Sequence, residues 1–135
     1  MKFSLRTVHR LRIYCPVAAS TLARLIAGEP VEDDPSLSAM LAITRADNPL
    51  GDFGLYRGVV ELHPGWESFE PTAGASPTLG TAGQRSLSPT VILTIHIPGD
   101  APEAEVDRAL EAIIAAHPWE VPVIEMDEAQ LLVHA

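Results

Sequence analysis

The residues with the clearest chemical potential stand in one short motif, His117-Pro118-Trp119-Glu120. An imidazole and a carboxylate together suit borderline divalent cations such as zinc or copper, so His117 and Glu120 are candidate metal ligands. Such a site needs about three or four protein donors, and the motif supplies two. In the alternative, structural interpretation, His117 binds carbonyl groups at a helix end and Glu120 accepts a backbone hydrogen bond in the turn. The donor count favours the structural role.

Three other side chains have ligand chemistry but stand alone in the sequence. His63 and His96 lie near the ends of a long irregular segment, and an isolated histidine is more often a surface or packed residue than a ligand. Cys15 could be a soft ligand or a reactive thiol if its pKa were lowered. Its apolar surroundings favour a small buried side chain instead.

The irregular segment, residues 63–88, is rich in Gly, Pro, Ser and Thr and has almost no hydrophobic period. A segment of this length without regular structure is usually functional or disordered, so we predict a flexible functional loop. Its candidate ligand-binding residues are the glycines, the aromatic residues and the one cation, namely Gly65, Trp66, Phe69, Gly74, Gly80, Gly83 and Arg85.

Two kinds of ligand fit this loop composition. Glycine N–H groups could hold the phosphates of an adenine nucleotide, although Glu67 and Glu70 oppose Arg85. The phosphates would then need a further cation, from Arg108 or from the basic first strand of a neighbouring subunit. Alternatively, the loop becomes ordered against a protein partner, with Trp66 and Phe69 as the main contacts.

The helices and strands that must position these residues are predicted from the hydrophobic period and from the turn-forming and helix-capping residues. Strands are predicted at 10–15, 55–62, 89–97 and 121–126, with a short edge strand at 130–133. One helix begins near Pro16 and ends before Gly28. A second short helix has Asp34 as its cap and Pro35 at its first position. The last helix begins with a capping box of Asp100 and Glu103 and ends at His117-Pro118.

Apart from the short helix, the order is strand, helix, strand, strand, helix, strand. Right-handed crossovers then favour an α+β, ferredoxin-like βαββαβ sandwich with a long loop between its second and third strands. One sheet face is left without cover. Ile92, Thr94 and His96 are expected to point there, which predicts self-association through the sheet.

Composition limits the class of protein. The chain has 135 residues, a net charge of -9 and one cysteine, so we predict a single domain, 1–135, with an extra segment at 29–53. The negative charge argues against nucleic-acid binding, and no apolar run is long enough for a membrane span. A lone cysteine gives no sign of an oxidising compartment, which favours the cytoplasm. The basic start of the chain, residues 1–28, could be a targeting peptide but is better explained as a basic strand and helix.

Two stretches resemble known families. The motif from His117 to Pro122, directly after an amphipathic helix, is similar to one shared by the CutA divalent-cation tolerance proteins and by the PII-like insertion domain of YqfO-type, Nif-three-like proteins. The second stretch is similar in order and spacing to the strand-loop-strand part of the YqfO-type domain. It comprises Gly54-Leu55-Tyr56, Gly65 to Phe69, Pro71, Gly74 to Gly80, and Gly83.

This resemblance implies a PII-like fold, commonly a homotrimer, with ligands bound in clefts between subunits near the long loop. Gly58 stands where those families have a histidine on the second strand, and Glu67 replaces a loop glycine. No counterpart of the dinuclear-metal domain is present, so its chemistry is not implied for this chain.

No nucleophile-base arrangement or pair of catalytic carboxylates stands out, and we expect no enzyme activity. The leading hypothesis is a PII-like binding or signalling protein that senses a small ligand, such as an adenine nucleotide, or an ion. The alternative is a CutA-like protein that binds zinc or copper through His117 and Glu120. A structural trimer is a third possibility.

Overall fold

The computed structural model describes residues 2–134, in which four strands pair into an antiparallel sheet. The two end residues of the predicted domain 1–135 lie outside this range. The elements, in chain order, are β1 (Phe3–Pro16), α1 (Ala19–Ile26), α2 (Pro35–Arg45), β2 (Glu61–Phe69), β3 (Ser86–Pro98), α3 (Glu103–Ala116) and β4 (Ile124–His134). The strands are ordered β2-β3-β1-β4 in the sheet, and the predicted α+β class is confirmed.

The core lies between the two central strands and the helices. Alternate residues of β1 and β3 are fully buried, as the period-2 pattern predicts; they are Leu11, Ile13, Cys15, Val91, Leu93, Ile95 and Ile97. The segment predicted as an extra, 29–53, belongs to this core, because α2 contributes Leu37, Met40 and Leu41 to the same cluster. It therefore adds a third helix to the domain.

Asp34 holds the first turns of two helices. As predicted, it caps α2, and its carboxylate accepts the Leu37 N–H at 3.3 Å. The other carboxylate oxygen accepts the Ala18 N–H at 3.0 Å and the Thr21 hydroxyl at 2.8 Å, at the start of α1. A single buried carboxylate thus replaces the local cap that Ala18, as N-cap of α1, cannot provide.

The second strand is displaced from its predicted position at 55–62. It runs from Glu61 to Phe69, and the residues before it turn at Gly54 and Gly58, which both have positive φ. Pro64 lies inside β2 because β2 is an edge strand that pairs only with β3, so a missing N–H is tolerated. The predicted loop of 63–88 is therefore wrong in its bounds, and the connecting loop covers residues 70–85.

The other boundaries differ for related reasons. Residues 124–126 of the strand predicted at 121–126 and the short strand predicted at 130–133 belong to one strand, β4, which pairs with β1 from Ile124 to His134. Pro16 ends β1 instead of opening α1. The predicted capping box is also wrong: Pro102 is the N-cap of α3, and no side chain caps it.

The opposite face of the sheet carries Ile92, Thr94 and His96, all half-buried within the described chain. The predicted helix ends are confirmed, since α3 stops at Ala116 with His117 as its C-cap, and Gly28 follows α1 with φ of 73°. Within residues 2–134, no helix is both long and apolar enough to cross a membrane.

Candidate functional site

A cavity of about 310 Å³ lies where β2 ends, between loop 70–85 and the turn that follows α3. Phe69 closes β2 and Trp119 lies in the turn after α3, and both rings line the cavity. Their centroids are 5.9 Å apart in an edge-to-face arrangement, a favourable geometry for two aromatic rings. The cavity therefore has an aromatic wall made from two parts of the chain that are 50 residues apart in sequence (69 to 119).

Two hydrogen bonds connect the loop to the turn beside this wall. The Ser76 N–H donates to Glu120 Oε1 at 2.9 Å, and the Thr78 hydroxyl donates to the Pro118 carbonyl at 2.7 Å. The role predicted for Glu120, acceptance of a backbone hydrogen bond, is confirmed, but the donor is the distant loop and not the turn itself. The loop and the motif at 117–120 are thus one site.

His117 lies behind the site and connects the turn to the sheet. Its Nδ1 accepts the Trp119 N–H at 3.1 Å, and its Nε2 lies 2.8 Å from the Tyr14 carbonyl oxygen of β1. Since Nδ1 is an acceptor, Nε2 carries the proton and donates to Tyr14. Both ring nitrogens of this buried side chain are therefore used inside the chain. The carbonyl it binds belongs to a strand and not, as expected, to the helix end.

Gly80 shapes the loop beside Phe69. Its φ is 97°, and a Cβ at this position would lie 2.6 Å from the Ser86 hydroxyl oxygen and 3.3 Å from the Pro71 ring. This is a place where only glycine fits without strain. By contrast, Gly74 has open space around it and no positive φ.

The seven residues predicted for the ligand-binding loop are divided between a strand and the loop. Gly65, Trp66 and Phe69 lie in β2, whereas Gly74, Gly80, Gly83 and Arg85 lie in the loop. Phe69 alone among the seven lines the cavity as described. Trp66 is 58% exposed and lines a separate cavity of about 550 Å³ with Tyr14 and Glu125.

Three glutamates surround the cavity: Glu67, Glu70 and Glu120. Lysine, arginine and histidine are all absent from its described lining, and Arg85 lies outside it. From the sequence, Glu67 and Glu70 were predicted only to oppose phosphate binding, and their place in the lining of this cavity was not predicted. Their proximity to Glu120 depends on contacts across more than 40 residues, for which the local sequence carries no signal.

The described residues include no group of three or more His, Cys, Asp and Glu side chains placed to hold a metal ion. His63 lies 3.5 Å from its strand neighbour Glu61, and the His96 ring stacks edge-to-face on Phe53. The structure therefore does not bring either histidine together with His117 and Glu120 as a described metal cluster.

Cys15 is fully buried, and its Sγ donates to the Pro16 carbonyl at 3.6 Å. Burial, assisted by the negative charge of Asp34, raises the pKa of the Cys15 thiol to about 12. A thiol with this pKa is not a nucleophile or soft ligand at neutral pH. The packed role favoured by the sequence is the one observed.

No protein-family model matches this sequence, and no curated protein matches it. Among solved structures, the fold is similar to one described as "The Crystal Structure of Bacillus cereus protein related to NIF3", with a TM-score of 0.58 and 16% sequence identity. The match covers 97% of this chain and 28% of the Bacillus cereus chain, so this chain spans less than a third of that protein's length. At this identity the likeness shows the fold alone, and it agrees with the Nif-three-like part of the resemblance.

Proposed function

We propose that the chain is a non-enzymatic, PII-like binding or regulatory protein that senses a small ligand through the cavity at loop 70–85. The observation that carries the proposal is the cavity itself, about 310 Å³ in volume, which falls at the lower end of the usual range for small-molecule sites. It combines an aromatic wall with a few polar groups, the usual composition of such sites.

The loop gives this cavity the means to report binding. Loop 70–85 reaches the turn after α3 through the Ser76 and Thr78 hydrogen bonds, and Trp119 of that turn is held by His117. A ligand in the cavity would contact both the loop and the turn, so it would stabilise the arrangement in which they meet. A partner protein that contacts the loop could then distinguish the bound from the free protein.

The strand order and the helix placement support a ferredoxin-like, PII-like assignment of the fold. The order β2-β3-β1-β4, fully antiparallel, is the one that two split β-α-β units produce when they interleave. Helix α2 is an addition to that plan. Fold alone does not fix function, and the proposal therefore depends on the cavity.

Self-association as a homotrimer forms part of the proposal. The face bearing Ile92 is only half-buried, and residues 3–7 of β1 extend beyond β3 and pair with β4 alone. This two-stranded extension exposes Phe3, Leu5 and Leu132 by 39%, 58% and 68%. Because a two-stranded ribbon is marginal alone in water, a neighbouring copy would stabilise it. A concentration-independent monomer in light scattering would contradict the trimer.

Calorimetric titration of the purified chain tests the function. ATP, ADP, AMP, zinc and copper are each titrated separately. Saturable binding that is weakened when Trp119 is replaced by Leu supports a sensor that uses this cavity. Metal binding that is lost in His117→Ala and kept in Trp119→Leu would instead favour the CutA-like, metal-binding alternative.

A further inference from the structure

The charges around the cavity indicate which class of ligand it takes. Glu67, Glu70 and Glu120 all line it, and its described lining contains no cationic side chain. The Glu120 carboxylate accepts one hydrogen bond, from the Ser76 N–H, while the side-chain carboxylates of Glu67 and Glu70 have no hydrogen bond or ion pair within residues 2–134. These carboxylates give the cavity a negative potential, which the net charge of the whole chain, -9, reinforces.

The apolar part of the lining adds a second, independent preference. Phe69 and Trp119 form the aromatic wall, and Pro71, Pro77 and Leu79 complete it. Aromatic rings attract cations as well as apolar groups, and this attraction is strongest for tryptophan. A ligand with an apolar body and a positively charged head would therefore satisfy the wall and the carboxylates at once.

We propose that the cavity binds a small organic cation, a protonated amine or a guanidinium attached to an apolar body. The proposal rests on the proposed function, because it names the class of ligand that the sensor recognises. A bare metal ion fits less well, since the described glutamates do not form a metal-holding cluster. An adenine nucleotide fits less well too, because its phosphates would face three carboxylates with Arg85 outside the lining.

Three probes of nearly equal shape isolate the charge: 2-phenylethylammonium, neutral 2-phenylethanol and anionic 3-phenylpropionate. Each is titrated into the full chain by calorimetry. We expect 2-phenylethylammonium to bind about tenfold more tightly than 2-phenylethanol, and 3-phenylpropionate to bind most weakly. Binding of the cation should also weaken as ionic strength rises, because exposed carboxylates are screened by salt.

Variants then test whether the cation binds at the carboxylates of the cavity. The double variant Glu67→Gln/Glu120→Gln keeps the side-chain shapes and an acceptor for Ser76, and we expect it to raise the dissociation constant of 2-phenylethylammonium by about five- to tenfold. The control is Glu111→Gln, at an exposed position of α3 outside the cavity, which should leave that dissociation constant unchanged. Because Trp66 and Trp119 are the two tryptophans, Trp66→Phe leaves Trp119 as a fluorescent reporter of cavity binding.

The outcomes distinguish failure of the proposed ligand class from failure of the proposed function. Equal binding of the cation and the alcohol, preference for the anion, or an equal loss in Glu111→Gln would overturn the organic-cation class. Saturable binding of a nucleotide or metal without binding of 2-phenylethylammonium would also overturn it, while leaving a sensor in place. Absence of saturable binding for every probe, nucleotide and metal would overturn both.

Discussion

Two sets of carboxylates in this small protein have opposite fates. Asp34 is 6% exposed and accepts hydrogen bonds from the starts of two helices, whereas Glu67, Glu70 and Glu120 line the cavity at loop 70–85. The carboxylate oxygens of Asp34 are satisfied by hydrogen bonds within the fold. The carboxylates around the cavity have few hydrogen-bond partners within the fold. This difference distinguishes a structural carboxylate from one that is a candidate for ligand binding.

Replacement of Asp34 by Ala is the strongest test of this contrast. It leaves the Thr21 hydroxyl and the Ala18 and Leu37 N–H groups without their acceptor, in a largely buried place. We expect a loss of about 2–4 kcal/mol in the free energy of unfolding, measured by chemical denaturation. The matched variant Glu67→Ala should change it by less than about 0.5 kcal/mol. Equal losses would remove the contrast.

Replacement of His117 by Ala has the next largest expected effect. The side chain is buried beside the cavity but, like Asp34, uses its polar atoms within the fold, through Tyr14 and Trp119. We expect a loss of about 1–2 kcal/mol in metal-free protein, since two buried hydrogen bonds disappear. Zinc titration of the same variant provides the control. An unchanged denaturation midpoint combined with lost zinc binding would show that His117 is a ligand.

Replacement of Gly80 by Ala examines the loop side of the comparison. The positive φ and the nearby Ser86 hydroxyl oppose a Cβ, and relief of this strain would displace the loop from Phe69. We expect a cost of about 1 kcal/mol and weaker binding of 2-phenylethylammonium. Gly74→Ala, at an open position of the same loop, is the control and should change neither quantity. Identical behaviour of the two variants would mean that the loop shape is irrelevant to the cavity.

The pH dependence of the free energy of unfolding is expected to show a smaller effect, which is specific to Asp34. Burial raises the pKa of Asp34, but hydrogen bonds from Ala18, Thr21 and Leu37 outweigh it and hold the net pKa below the usual value. A depressed folded-state pKa contributes stability that is present above the unfolded-state pKa and is lost as pH falls through the folded-state pKa. Asp34→Asn should therefore flatten the fall of stability at acid pH. Chemical denaturation at several acid pH values measures this slope, and an equal or steeper slope in Asp34→Asn than in the wild-type chain would contradict the expectation.

The same contrast explains what sequence reasoning could reach. Asp34 was found as a cap because the Asp-Pro pair and the apolar spacing after it are local signals. Its hydrogen bonds with Ala18 and Thr21 were not predicted, because no local rule connects a helix cap to the preceding helix. The alternation in β3 was equally local, and it predicted that Ile92, Thr94 and His96 share the face opposite the core.

The elements and contacts that were predicted wrongly or missed depend on contacts between parts of the chain that are distant in sequence. Residues 61–69 become a strand, despite Pro64 and Gly65, because β3 offers a free edge to pair with. Asp127 and Glu128 stay inside β4 because β1 pairs along its whole length. The meeting of Glu120 with Ser76 likewise depends on where the loop returns to the body, which the sequence does not encode locally.

The central claim is that the cavity at loop 70–85 is a ligand site, and hydrogen exchange tests it most directly. Exchange of the full chain is followed by mass spectrometry, with and without saturating 2-phenylethylammonium, and then with nucleotides and zinc. We predict that a ligand slows exchange in residues 70–85 and 119–121 and leaves α1 and α2 unchanged. Unchanged exchange at the loop and the turn with every probe would contradict the account.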